Sequence, residues 1–332
     1  MSNFPDPTGG PMIHLNPVSP TELNLSFTHL CGVEIIWDNI TQAQINNLHV
    51  DECLEFIKCA YCLSHLELLD ILEPLEDIFL IPVSPIKHNE LISLDSHVSG
   101  VDSGPLGIFF NSITLPLLKN LKIYMTELQT EILLPFLKHS ACHIIEFHYE
   151  RIEIEVEEEE EIMALLELML FLQHLKLKPA PWKGHSIGNI LHHLAVTYIQ
   201  DDINDPNGHF LPNLELFHYL SGRKFSWDLL VDTFGPCSEL KNVHYWPLKD
   251  VLIEFKPYGD LCKDYICLNL MDHTHIFSFI SIRGVGIKVD ISYTDPDSCK
   301  TFDLYQFMTR PVKHYPNTTG IELTSPSVSE AE

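Results

Sequence analysis

A short pattern of apolar and variable positions recurs eight times in the first three quarters of the chain. It runs apolar, two variable residues, apolar, one variable residue, apolar. Seven copies are regular: Ile40/Ala43/Ile45, Leu63/Leu66/Leu68, Leu118/Leu121/Ile123, Cys142/Ile145/Phe147, Leu172/Leu175/Leu177, Leu211/Leu214/Leu216 and Leu240/Val243/Tyr245. A weaker copy has Asn89 in the first slot, ahead of Ile92 and Leu94. The last two apolar positions alternate with variable ones, which predicts a strand with one buried face. Between the copies the spacing turns helical. Ile162, Leu165, Leu166, Met169 and Leu170 form one stripe, and Ile187, Ile190, Leu191 and Leu194 another. Trp227, Leu230, Val231 and Phe234 form a third behind Ser226, and a shorter one holds Leu54 and Ile57 behind Asp51. Ser226 and Asp51 stand where N-caps are expected.

Successive central residues lie 23 to 39 positions apart. Pattern and spacing together match the L-x-x-L-x-L signature of leucine-rich repeats. The predicted fold is α/β: a horseshoe-like leucine-rich-repeat solenoid with parallel strands on the concave face and helices on the convex face. Neither element buries its apolar face alone, and stacking solves that for both. The chain then divides into an irregular N-terminal cap or partial repeat (1–39), the repeats (40–250), a C-terminal repeat or cap (251–309) and a disordered tail (310–332). Residues 81–107 read as a long loop around the weak third strand, and 203–209 as an insertion. The C-terminal part offers a strand at Ile266, Leu268 and Leu270, a helix around Phe277 to Ile282, and a closing strand at Val289 and Ile291.

Three phrases go beyond a generic repeat. Residues Asn47 to Ile57 read NLHVDECLEFI, Ile113 to Leu121 read ITLPLLKNL, and Leu211 to Glu215 read LPNLE, followed by Phe225-Ser226-Trp227. In order and spacing, over roughly residues 37–292, they resemble the leucine-rich-repeat region of F-box-type proteins of mushroom-forming fungi. The resemblance implies recruitment of a protein target to a cullin-RING ubiquitin ligase. In that family the F-box docks on the ligase adaptor and the repeats hold the target. The first 40 residues show no F-box, so an adaptor partner would require one upstream.

Charge narrows the partners. The 332 residues carry a formal charge of -26. Glu153, Glu155 and the run Glu157 to Glu161 supply seven of those charges, and -19 would remain without them. Phosphate backbones need a basic footprint, so nucleic acid is not an expected partner. The start lacks a signal peptide, and the longest apolar stretch, Ile162 to Leu172, is too short to cross a bilayer. Nine cysteines fall in no disulfide-like framework. An intracellular location, cytoplasmic or nuclear, follows, with no membrane partner.

Several motifs carry chemistry on paper. Gly184-His185-Ser186-Ile187-Gly188 matches the nucleophile elbow of serine hydrolases, which makes a hydrolase the alternative function. However, Pro179 to Lys183 separate it from the preceding strand, and Ser186 also reads as a helix N-cap. Cys59 and Cys62 have C-x-x-C spacing without a second pair, and read as small packed residues. His139 and His143 are four apart without the Glu of a zinc helix, and His273 and His275 add nothing firmer. The glutamate run reads as a solvated loop or the charged start of a helix. No phosphate-binding glycine loop is present. The expectation is therefore a non-enzymatic protein with no catalytic residue, metal or cofactor, or else a scaffold or F-box-less fragment with no ligase role.

The positive candidate is the strand face turned away from the core. Alternation places His65, Glu67, Asn120, Lys122, Tyr124, Glu146, His148, His174, Lys176, Lys178, Asn213, Glu215, Phe217, Asn242, His244 and Trp246 on it. These residues are the expected contacts to a protein target.

Overall fold

The computed structural model describes residues 13–18, 20–26, 29–30, 33–75, 81–98, 104–125, 129–151, 158–178, 188–199, 210–221, 233, 248–255, 288–294 and 301–303. The fold is mixed α/β, built on one large parallel sheet. Ten strands run parallel in chain order: β2 (Glu22–Ser26), β4 (Gln42–Asn46), β5 (His65–Leu69), β7 (Ser93–Val98), β9 (Asn120–Met125), β10 (Glu146–Arg151), β11 (His174–Lys178), β12 (Leu216–Ser221), β13 (Asp250–Phe255) and β14 (Lys288–Thr294). A short antiparallel strand, β15 (Thr301–Asp303), follows at the far edge. Two small parallel pairs flank the sheet: β1 (Ile13–Val18) with β3 (Val33–Ile35), and β6 (Ile86–Lys87) with β8 (Ile113–Thr114).

Parallel neighbours require crossovers, and among the described residues helices provide five of them. They are α1 (Val50–Cys59), α2 (Gly104–Asn111), α3 (Thr130–Ser140), α4 (Glu158–Leu166) and α5 (Gly188–Ile199). Each helix packs on the next in the series. Leu66, Leu68, Leu121, Ile123, Phe147, Tyr149, Leu175, Leu177, Phe217 and Tyr219 point from the strands into a single core. There they meet Phe56, Phe109, Phe136, Leu165 and Ile190 from the helices. The residues between them on the strands stay half-buried or exposed, as the alternating burial of β9 shows.

Register is fixed by a bond pattern that recurs at the start of successive strands. One carbonyl accepts two consecutive N–H groups from the next strand's start. Thr41 O takes Ser64 and His65, Lys119 O takes Ile145 and Glu146, and Gln173 O takes Glu215 and Leu216. Thr21, Ser64, Ile92, Ile145 and Glu215 do the same. In front of five strands a tight turn adds an N–H to the carbonyl three residues back: Ile40 to Trp37, Leu63 to Ala60, Leu118 to Leu115, Leu172 to Met169 and Leu214 to Leu211. All five acceptor residues are buried.

That turn corrects the sequence reading. Leu211 belongs to the turn, at φ 49°, and the inward set is Leu214, Phe217 and Tyr219. The slip of three residues reverses which side chains face out. The Cys142 copy is offset by two, to Ile144, Phe147 and Tyr149, and the Asn89 copy likewise to Leu91, Leu94 and Ser96. An offset of two preserves the outward face. Leu248, Val251 and Ile253 form a further copy of the pattern. The Leu240 copy, the strand at Ile266 to Leu270 and the helix at Phe277 to Ile282 lie outside the described residues. Val289 and Ile291 are buried in β14, where a closing strand was expected.

Two local expectations also change. Asp51 is not a cap: it lies inside the first turn of α1, buried, and its Oδ1 accepts the Leu75 N–H at 3.2 Å. Residues 81–107 hold β6, β7 and the start of α2 as well as loop. Pro105 sits in the first turn of α2, where a missing N–H costs nothing. Gly107 lets α3 approach, since a Cβ there would meet Ile132 at 3.0 Å.

The corrected frame is testable at β12. Phe217→Ala should lower stability by about 3–5 kcal/mol. Glu215→Ala should change it by less than about 0.5 kcal/mol. Urea unfolding midpoints of the two variants measure this, and equal midpoints would contradict the frame.

Candidate functional site

The outward residues of the sheet line up in rows because parallel register repeats without a slip from β2 to β12. The middle row reads Asn24, Gln44, Glu67, Asp95, Lys122, His148, Lys176, His218. One flanking row reads His65, Ser93, Asn120, Glu146, His174, and the other Leu69, His97, Tyr124, Glu150, Lys178. Neighbouring strands lie about 4.8 Å apart, so each row brings its charges within direct reach of one another.

The middle row is graded. It begins with amides that hydrogen-bond in series, Asn24 to Gln44 at 2.5 Å and Gln44 to Glu67 at 3.0 Å. Glu67 and Asp95 follow, and then a cationic and imidazole stretch. Over β2 to β7 the face holds an open depression of about 450 Å³, lined by Glu22, Asn24, Gln42, Gln44, Glu67 and Asp95 among others. At the junction, Lys122 reaches Asp95 at 3.5 Å and His97 reaches Asp95 at 3.0 Å. Lys178 pairs closely with Glu150. Lys176, between these pairs, takes part in no ion pair among the described residues.

Tyr124 is the hinge of the face. Its ring stacks on His97 with centroids 3.8 Å apart, and its hydroxyl shares a 3.2 Å hydrogen bond with His148 Nδ1. Burial, helped by Asp95 and Glu150, pushes the Tyr124 hydroxyl up to about 12. His148 is buried, and burial together with Lys176, Lys122 and the other cations around it holds its pKa down at about 3. The centre of the cationic stretch is therefore a neutral imidazole between two lysines.

The structure brings together ten of the sequence-predicted contacts: His65, Glu67, Asn120, Lys122, Tyr124, Glu146, His148, His174, Lys176 and Lys178. It removes three. Phe217 is fully buried in the core, while Asn213 and Glu215 precede β12, where Asn213 Nδ2 donates to Leu170 O and Glu215 meets Lys249 at 2.7 Å. Asn242, His244 and Trp246 lie outside the described residues. The sequence reading missed Gln44, Asp95, His97, Glu150 and His218. In the corrected frame each sits beside or between two inward positions, so the alternation itself was the missed signal.

The other motifs resolve individually. Ser186 lies outside the described residues. The first amides of α5, Asn189 and Ile190, donate to Glu159 of α4 at 2.6 and 3.2 Å. Part of the glutamate run thus starts one helix and caps the next, and burial raises the Glu159 carboxyl above its usual range. His139 Nε2 donates to Ile113 O, whereas His143 packs on Phe171, so the two rings serve different neighbours. Cys59 and Cys62 are both half-buried, and Cys59 Sγ donates to Glu55 Oε1 at 3.7 Å. Among the described residues no helix is long and apolar enough to cross a membrane. Compared with known proteins, the chain matches no family model and no curated relative.

The depressed pKa of His148 has a sign in solution. The unfolded chain takes up a proton on this residue near pH 6.5, whereas the folded chain does so only near pH 3. Between those values the unfolded state binds more protons, so stability falls as pH drops, by up to about 1.4 kcal/mol per unit. His148→Gln should flatten the acid side of the stability profile between pH 6.5 and 4. Parallel profiles of variant and wild type, followed by thermal midpoints, would show that the ring is not held neutral.

Proposed function

We propose that the chain is a non-enzymatic, intracellular protein-binding module of the leucine-rich-repeat type, with the outward sheet face as its recognition surface. The recurring signal, the chain-order parallel strands and the helices on the opposite face support the repeat reading. The observation that carries the binding reading is the graded row. A chain of charge -26 places Lys122, His148, Lys176 and His218 side by side on the outward sheet face. Beside them, the depression at β2 to β7 offers carboxylates and amides.

A partner matched to this face offers basic groups to Glu67 and Asp95 and an acidic group to Lys176, the lysine of the row with no ion pair among the described residues. Such complementarity sets orientation and encounter rate more than raw affinity. The resemblance to F-box-type proteins supplies a role for the complex, recruitment of that target to a cullin-RING ligase. The ligase arm rests on the resemblance alone.

Lys176→Glu and Glu67→Lys test the reading, because both positions are partly exposed and neither enters the core. The chain, tagged in its source cells, is used for proximity labelling with each variant in parallel. Each reversal should weaken enrichment of a specific partner about tenfold or more. Thermal midpoints should stay within a few degrees of wild type. Unchanged labelling in both folded variants would refute the sheet face as the recognition surface. Failure to co-purify a cullin adaptor would remove the ligase role and leave the binding role standing.

A further inference from the structure

Just past the C-terminal ends of β2 and β4, two histidines and a buried glutamate converge at the start of α1. His49 occupies the N-cap position of α1, Glu52 lies in its first turn, and His29 comes from the segment between β2 and β3. One ligand atom from each lies within 4.8 Å of the other two. His29 Nδ1 is 3.4 Å from Glu52 Oε1. From zinc bond lengths of about 2.0–2.2 Å, two donors on a tetrahedral ion stand about 3.4 Å apart.

Each residue is prepared for a cation in a different way. Glu52 is wholly buried; its Oε1 accepts the Leu30 N–H at 2.9 Å, and its Oε2 is buried with no hydrogen-bond partner. A buried carboxylate oxygen without a partner is costly, and a cation removes that cost. His49 Nδ1 bonds to the carbonyl of Glu73. A carbonyl only accepts, so Nδ1 carries the proton and Nε2 keeps its lone pair. That is how a metal-ligating histidine is usually held from behind. His29 stacks on His49, and because its side chain is 57% exposed its ring can turn to complete the set without disturbing the core.

We propose that His29, His49 and Glu52 form a binding site for one divalent transition metal, zinc being the best match to two imidazoles and a carboxylate, with a fourth position open to water. The ion would fasten the segment after β2 to the start of α1. Leu30 already donates its amide to the same glutamate, so the metal would add a second fixing point to an existing one.

The experiment uses the full chain, stripped with a chelator and titrated with zinc chloride against a chromogenic zinc indicator. Wild type should bind one zinc equivalent more tightly than His29→Ala, by at least tenfold, and thermal melting should show a zinc-dependent rise that His29→Ala lacks. His29 is largely exposed, so its stripped variant should melt with stripped wild type. His49→Gln is the second variant and should lose the same equivalent. Cobalt loaded in place of zinc should give the intense visible absorption of a tetrahedral site in wild type only. Equal zinc affinity in wild type and both variants, or no zinc-dependent rise in wild type, would overturn the proposal.

Discussion

A single carbonyl that accepts two successive amides governs this structure. The arrangement recurs where strand follows strand, at Thr21, Thr41, Ser64, Ile92, Lys119, Ile145, Gln173 and Glu215. It sets each strand against the last with no freedom to slide. A slip of one residue would turn every inward side chain outward. Because register is held here, Leu66, Leu94, Leu121, Phe147, Leu175 and Phe217 stack as one row in the core. The same constraint aligns Glu67, Asp95, Lys122, His148, Lys176 and His218 on the other face. Core and outward face are two readings of one alignment.

The electrostatics of the face follow from how tightly it is built. Lys122 and Lys178 are each paired with a carboxylate on a neighbouring strand, while Lys176 pairs with none among the described residues. His148 has lysines on both sides and little water, so it gives up its charge rather than add to theirs. Tyr124, clasped by His97 and His148, separates the acidic half from the cationic half. The face is thus mostly balanced within itself, and its net polarity comes from a few residues.

Much of this was legible in the chain. The strands centred on Ala43, Leu66, Leu121 and Leu175 stand where the apolar pattern puts them, since there the first apolar residue follows a turn residue that is not read as part of the strand. At Leu211 the turn leucine is followed by Leu214 and by an outward leucine, Leu216, in the row where other strands carry Asn120 or His174, so a shifted copy fits three residues early. A bulky side chain at positive φ is rare enough that sequence gave no warning. The helix α2 was hidden by Gly104, Pro105 and Gly107, which read as loop but serve a helix start and a close helix contact. His29, His49 and Glu52 could not be found by spacing, because 20 residues and a strand pairing separate the first from the second. Likewise, Glu159 caps a helix some thirty residues further on, a relation that exists only once α4 and α5 are packed.

The last strand has its own consequence. Nine successive pairings in this sheet run parallel, and β15 alone reverses direction. The seven-residue strand β14 would otherwise offer a row of unpaired amides and carbonyls on which the β2 edge of a second molecule could continue the series. β15 pairs with Ser292, Tyr293 and Thr294, so the C-terminal part of that edge is taken by a short antiparallel strand. Edges that are short and wrongly oriented are poor templates. The sheet that grows by simple addition within the chain is thereby discouraged from growing between chains.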